Sequence, residues 1–295
     1  MAKDQVERRQ AAREKARQIA QAQANREKRA KTILWSGIAV VVVAVIAVIV
    51  VLIVQSSRPA VGPAAMVNGG VTLTQGEKGT TVVAHPTDKE NVPDGLPAYD
   101  TGKQKDNAAH VDVYLDFQCP ACKNFEDTNG AALTKLMESG DITVTYHPVS
   151  ILDGASGGNK FSTRATNAFM CAADAENDDK LVDVIQNIFA QQPEEGGSGM
   201  EDDQLLSTLE EAGVDLDAKT TSLEEQPTVR DCVTNVSFDK YVQQATKTAQ
   251  DRDLQGTPRI QVNGKDVEPK VWANPQSFGR TLLEATGQIG GDKKN

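Results

Sequence analysis

The hydrophobic and polar positions divide the chain into stretches of very different texture. Residues 33–54, ILWSGIAVVVVAVIAVIVVLIV, are 22 positions without a charge. At a rise of about 1.5 Å per residue, a helix of that length covers the roughly 30 Å hydrocarbon core of a bilayer. In lipid the backbone must satisfy its own hydrogen bonds, so this Val/Ile-rich run predicts a helix and not a strand. Further on, 110–117 (HVDVYLDF) and 142–149 (ITVTYHPV) are short, bounded and rich in β-branched and aromatic residues, and predict buried strands. Between them KNFEDTNGAALTKLMES predicts a helix ending at Gly140, with a kink at Asn129-Gly130. Weaker apolar runs at 71–73 and 80–84 suggest a hairpin. They lie within a turn-rich stretch marked by Asn68-Gly69-Gly70, Pro86 and Pro93-Asp94-Gly95.

From about 155 to 252 the apolar positions fall at helical spacing, as in Leu181, Val184, Ile185 and Ile188. They predict helices over 162–175, 179–191, 201–212 and 237–252, with PEEGGSG at 193–199 as a connecting loop. A strand returns at 259–262, followed by the turn Asn263-Gly264. A last helix at 275–286 has Pro in its first turn and Gly287 beyond its end. Strand, helix, strand, helical block, strand, turn, helix is the order of an α/β layered fold with an all-α insertion.

Charge orients this plan. Residues 1–32 carry ten Lys/Arg against four Asp/Glu, or +6, leaving −16 for the rest of a chain whose total is −10. A basic flank before the apolar run places 1–32 in the cytoplasm and the C-terminal part outside. The organisation expected is a basic arm at 1–32, a transmembrane helix at 33–54 and a linker at 55–75. An extracytoplasmic domain at 76–289, with its insertion at about 155–252, and a tail at 290–295 complete it. A cleaved signal peptide is the alternative; its apolar region is ordinarily shorter and its basic region smaller. An acidic pI near 4.9 argues against a general nucleic-acid binder.

The chemistry lies in four cysteines. Cys119 and Cys122 are three apart, where a predicted strand runs into a predicted helix. Unpaired N–H groups and the positive end of the helix dipole favour a thiolate there. Cys119 is therefore expected to be the nucleophile and Cys122, one turn inward, the resolving thiol. Half of a zinc site, a structural bridge and two reduced core thiols are the competing readings. No second Cys pair or His-x3–5-His follows to complete a zinc site, so no metal is expected. Cys171 and Cys232, an even pair in an oxidising compartment, are expected to form a structural disulfide; two free or secondary shuttle thiols are the alternative.

Asp116 to Glu126 reads DFQCPACKNFE, Gly256-Thr257-Pro258 precedes the last strand, and Asn263-Gly264 follows it. Together with FSTRATNAFMCAADA at 161–175, these segments resemble the membrane-anchored, DsbA-like thiol–disulfide oxidoreductases of the thioredoxin superfamily. The resemblance spans about 105–287. It implies a thioredoxin-like fold with a helical insertion, and catalysis by Cys119 and Cys122 as a redox-active disulfide with no other cofactor. It also implies a cis Thr257–Pro258 peptide facing the sulfurs, where a substrate would bind. The dipeptide here is Pro-Ala, without the His of the strongly oxidising members. Where such proteins carry an acid inside the strand, this chain has Val113 and Leu115, leaving Asp112 or Asp116. Asp116, as a proton relay or a turn residue, and His147, at the end of the second strand, are the candidates for tuning the thiols; His85 and His110 carry no argument.

The function expected is disulfide formation in secreted or cell-surface proteins. The expected partners are newly exported Cys-containing chains, the bilayer through 33–54, and a membrane enzyme that reoxidises the pair. A reductase or isomerase of the same fold, and a non-catalytic thiol adaptor or metallochaperone, are the other readings.

Overall fold

The computed structural model describes residues 41–50, 60–76, 81–83, 105, 107–175, 177 and 179–289. The basic arm, most of the expected membrane span, the Pro93-Asp94-Gly95 turn, His85 and the tail lie outside the described residues. The chain divides into two units, 1–59 and 60–295. In the first, 41–50 is helical and its side chains are exposed. Among the described residues no helix is long and apolar enough to cross a membrane.

The second unit is built on one mixed sheet. Its strands are β1 (Met66–Val67), β2 (Gly70–Gln75), β3 (Thr81–Val83), β4 (Ala109–Leu115), β5 (Ile142–Pro148), β6 (Arg259–Val262) and β7 (Lys265–Asp266). Its helices are α1 (Pro120–Glu138), α2 (Phe161–Ala173), α3 (Leu181–Ala190), α4 (Asp202–Glu211), α5 (Val229–Thr234), α6 (Asp239–Asp251), α7 (Pro269–Trp272) and α8 (Pro275–Ala285). The sheet runs β1-β2-β5-β4-β6-β7, with β3 also paired to β2. Only β4 and β5 are parallel, joined through α1; β2 and β6 flank them antiparallel. The helices α2 to α6 are inserted between β5 and β6, where the helical spacing of the sequence put them.

Parallel strands are covered on both faces, which is why β5 is buried at every position. Side-chain alternation gives the two faces different characters. Val111, Val113, Val144 and Tyr146 turn into the main apolar core with Phe125, Leu133 and Met137 of α1. The other face is polar. There Thr72 and Thr145 share a hydrogen bond of 2.6 Å, and Asp112 lies between His110 (3.3 Å) and His147 (3.0 Å). Gly70 makes room on that face, since a Cβ would sit 2.5 Å from Thr145 and 2.6 Å from the His147 ring.

Three expectations are corrected. Residues 60–75 are part of the domain and not a linker. Ala64 N donates to Asp174 (3.0 Å), a Cβ on Gly62 would overlap the Tyr241 ring, and β2 pairs with β5. The Pro/Ala texture marked absence of helix there, and packing supplied what texture did not show. Second, α1 continues unbroken through Asn129-Gly130. Gly130 accommodates the buried Glu126, whose Oε1 would lie 2.3 Å from a Cβ at that position. Third, a short helix, α5, carries Cys232 where none was expected. Thr228 caps it by accepting from Asp231 N.

Cys171 of α2 and Cys232 of α5 are bridged across 61 residues. Chain entropy for a loop of that length amounts to about 4 kcal/mol. Replacing both with Ala is expected to lower the urea-unfolding free energy by about that amount. Alkylation of Cys119 in the native protein should be unchanged.

Candidate active site around Cys119 and Cys122

Strand β4 ends at Leu115, and the chain turns through 116–119 into α1. Cys119 is the N-cap residue and Pro120 the first helical residue, where its missing N–H costs nothing. Cys119 N donates to Asp116 O (2.9 Å), closing the turn. Antiparallel pairing of β6 with β4, Tyr114 opposite Arg259, brings the segment before β6 alongside. Its Thr257–Pro258 peptide is cis, and Cys119 Sγ donates to Thr257 O at 3.3 Å. Cys119 is 7% exposed and Cys122 1%; both are free thiols.

The two thiols are electrostatically unequal. The Cys122 thiol donates to Cys119 and is the largest cause of a pKa drawn down to about 6. Partial burial opposes ionisation; the Thr257 side chain and the N–H groups of Cys122 and Ala121 favour it. Cys122 is pushed well above the ordinary thiol value, first by burial and then by its bond to Cys119 and that sulfur's charge. One sulfur is thus set to be a thiolate near neutral pH and the other a thiol.

Asp116, in the turn that leads into Cys119, is fully buried. Its Oδ1 accepts from Gln118 N (2.9 Å) and Ser162 Oγ (2.7 Å), and its Oδ2 from Leu152 N (2.9 Å). Burial nevertheless raises its pKa to about 6. His147 is placed elsewhere. It stacks on Tyr114 at 4.3 Å and bonds Asp112, on the sheet face opposite Tyr146 and α1. Pleat parity decides this: one residue along β5 would have reversed its direction. Asp112 belongs to the same polar cluster, where the two imidazoles outweigh its burial and hold its carboxyl well below the usual range. Cys171 and Cys232 lie within the helical block, away from this site.

Residues of the helical block that the sequence did not single out complete the site. Gln192 Nε2 donates to Phe117 O (2.8 Å) and Cys119 O (3.0 Å). Lys123 Nζ reaches Phe189 O (2.6 Å), and Gln118 Nε2 reaches Ala155 O (2.8 Å). These contacts join residues 37 to 75 apart in sequence, and no local pattern signals them. Among the described residues no group of three or more His, Cys, Asp or Glu is arranged to hold a metal.

Known proteins share this fold. A family model described as Thioredoxin matches residues 102–278. No curated protein matches the chain. Among solved structures, oxidised DsbA of Mycobacterium tuberculosis is 27% identical, with a TM-score of 0.53, over 75% of this chain and 95% of that one. Reduced disulfide-bond oxidoreductase DsbG of the same organism is 27% identical, with a TM-score of 0.54, over 77% and 92%. The MdbA thiol-disulfide oxidoreductase of Actinomyces oris shares the fold at 16% identity and a TM-score of 0.53.

The unequal thiols make a pH prediction. A folded-state pKa below the unfolded one stabilises the reduced fold above the ordinary thiol value, and this contribution is lost as pH falls through about 6. Iodoacetamide should therefore modify one thiol, with a rate half-maximal near pH 6, as read by mass spectrometry of the peptide bearing Cys119. Half-maximal labelling near the pH of an ordinary cysteine would contradict the geometry described.

Proposed function

Because the chain belongs to the thioredoxin family, we propose that it is a thiol–disulfide oxidoreductase that forms disulfides in exported proteins, with Cys119 and Cys122 as its redox pair. The observation that carries this reading is the depressed thiol of Cys119, capping α1 beside the buried, protonated Cys122 and facing Thr257 O. The structural neighbours named DsbA and DsbG support it.

The reaction runs from the Cys119–Cys122 disulfide. A substrate thiolate attacks Cys119 Sγ, breaking the bond to Cys122 and forming a mixed disulfide. Cys122 leaves as a thiolate and takes up a proton, as its high pKa favours. A second substrate thiolate then attacks the substrate sulfur of the mixed disulfide, expelling Cys119 as a stabilised thiolate. Two electrons pass from substrate to the pair, and the substrate gains one disulfide. A leaving group with a pKa near 6 makes the expulsion fast and favours this direction. The extended segment at Thr257-Pro258 offers the substrate a backbone edge next to the sulfur.

Reoxidation of the pair requires an acceptor of two electrons, and a membrane redox enzyme is the partner this reading assigns. The location is also proposed: the outer face of the cell membrane, with 33–54 as an uncleaved signal-anchor and 1–32 in the cytoplasm. The 22 uncharged residues and the +6 arm support it. Protease added to intact protoplasts should digest 60–295 and spare 1–32; protection of the catalytic domain would overturn this orientation.

Cys119→Ser should abolish oxidation of a reduced test protein with the fold retained, and Cys122→Ser should accumulate mixed disulfides with exported proteins. A reduction potential of about −120 to −180 mV against glutathione is expected for an oxidase. A value below about −230 mV would favour the second reading, a reductase or isomerase, which the Pro-Ala dipeptide supports by lacking a basic side chain beside Cys119.

A further inference from the structure

The surface around the catalytic turn offers a substrate little apolar purchase. Among the described residues of the second unit, the large apolar side chains that stand exposed are Val61 and Ile289, and neither belongs to the turn. An unfolded chain of arbitrary sequence presents one constant feature, its main chain, and polar groups are what recognise that. One side of Cys119 has such a group in the Thr257-Pro258 segment, which arrives with β6. The other side faces the helical block, into which β5 leads.

Gln192 stands there, just beyond the end of α3, with its own N–H on Phe189 O (3.2 Å). A glutamine amide nitrogen carries two hydrogens. Here both are used on the catalytic turn, one on Phe117 O (2.8 Å) and one on Cys119 O (3.0 Å). Turning the amide over would set Oε1 against two carbonyl oxygens, so its orientation is fixed. Gln191 differs: Nε2 donates to Glu211 (2.7 Å) and Oε1 accepts from Thr208 (3.2 Å), so both ends are satisfied inside the block. Among the described residues nothing donates to Gln192 Oε1. The residue is half-buried, and this oxygen is not one of the atoms sealed from water without a partner. Gln192 therefore presents an oriented acceptor, open to solvent and tied to the backbone of the nucleophile.

We infer that Gln192 is a substrate-binding residue: its Oε1 accepts a main-chain N–H from the segment that carries the substrate cysteine, on the helical-block side of Cys119, as the Thr257 edge serves the β6 side. The inference rests on the thiol-exchange reading above and names what the site recognises. Two polar contacts, one from each side of the sulfur, orient a peptide for attack without reading its side chains. This suits substrates that share only an exposed cysteine, and it gives a peptide thiol an advantage that a small thiol without an amide lacks.

The test uses the full-length Cys122→Ser protein, whose mixed disulfides cannot be resolved from within. A short Ala/Ser peptide with one central cysteine is joined to Cys119, and the mixed disulfide is equilibrated with 2-mercaptoethanol and quantified by mass spectrometry of the intact protein. Ester analogues of the peptide replace the N–H of each residue flanking the cysteine, in turn, by oxygen. At one flanking position the ester should weaken the mixed disulfide by about three- to tenfold. In Gln192→Met, which keeps the length and removes the acceptor, amide and ester should be held equally at that position. Lys123→Met removes another tie between α1 and the helical block, the bond to Phe189 O, and should retain the ester penalty.

An ester penalty that persists in Gln192→Met overturns the inference, as does loss of the penalty in both variants, which would assign it to loosening of the turn. Absence of a penalty at every flanking position overturns it without any Gln192 variant having to fold. In each of these cases the thiol-exchange reading stands, because the mixed disulfide has formed. Failure of Cys119 to form a mixed disulfide with either thiol would overturn that reading and the inference with it.

Discussion

A sulfur anion has to be held at a site that admits little water. Cys119 is 7% exposed, and burial by itself pushes a thiol toward its neutral form. Hydrogen-bond donors must replace the lost solvent, and nearly every feature near the sulfur supplies or positions one. The N-cap position gives it the first N–H groups of α1. Cys122, one turn inward, donates its own proton and is thereby held protonated. The segment before β6 adds the Thr257 side chain. None of these donors works at a distance, so strand β4, helix α1 and strand β6 must all end at one point.

The sheet topology meets that requirement. Placing β4 between β5 and β6 delivers the turn into α1 and the Thr257-Pro258 segment to the same end of adjacent strands. The two faces of the sheet then separate two kinds of chemistry. Beneath α1 the face is apolar, so the resolving thiol sits where ionisation is costly. The opposite face gathers His110, Asp112, Thr143, Thr145 and His147 into a polar cluster whose one carboxylate is matched by imidazoles. The charge on that cluster is satisfied locally.

The helical block acts as a clamp on the catalytic turn as well as a cover. Gln192, Ala155, Phe189 and Ser162 each bind the stretch from Asp116 to Lys123. Its own rigidity comes from α2, buried at twelve of thirteen positions and bridged to α5 by Cys171–Cys232. A block fixed in this way can impose a defined geometry on the thiols, which a mobile lid could not.

Local physics made the architecture legible in the sequence. Alternation and bounded apolar runs marked β4, β5 and β6, and helical spacing marked four helices of the insertion. A Cys-Pro-Ala-Cys string at a strand–helix junction identified the chemistry, because a helix N-terminus is a property of the chain itself. What depended on distant partners was not legible. The segment at 60–75 looked like a linker, apart from the hairpin signal at 71–73, because its value lies in packing against distant residues such as Asp174 and Tyr241 and in pairing with β5. Gly130 looked like a kink because the buried Glu126 is visible only after packing. His147 looked close to the sulfurs until pleat parity turned it to the other face. Asp116 stood beside Cys119 from the start, but its two donors from across the fold come from 36 and 46 residues away. Neighbours along the chain fixed which residues are able to react and where most of the helices and strands form, because both are local properties. The tertiary structure alone decided which side chains share the buried space around the sulfur, since hydrogen bonds and charges act through space and not along the sequence.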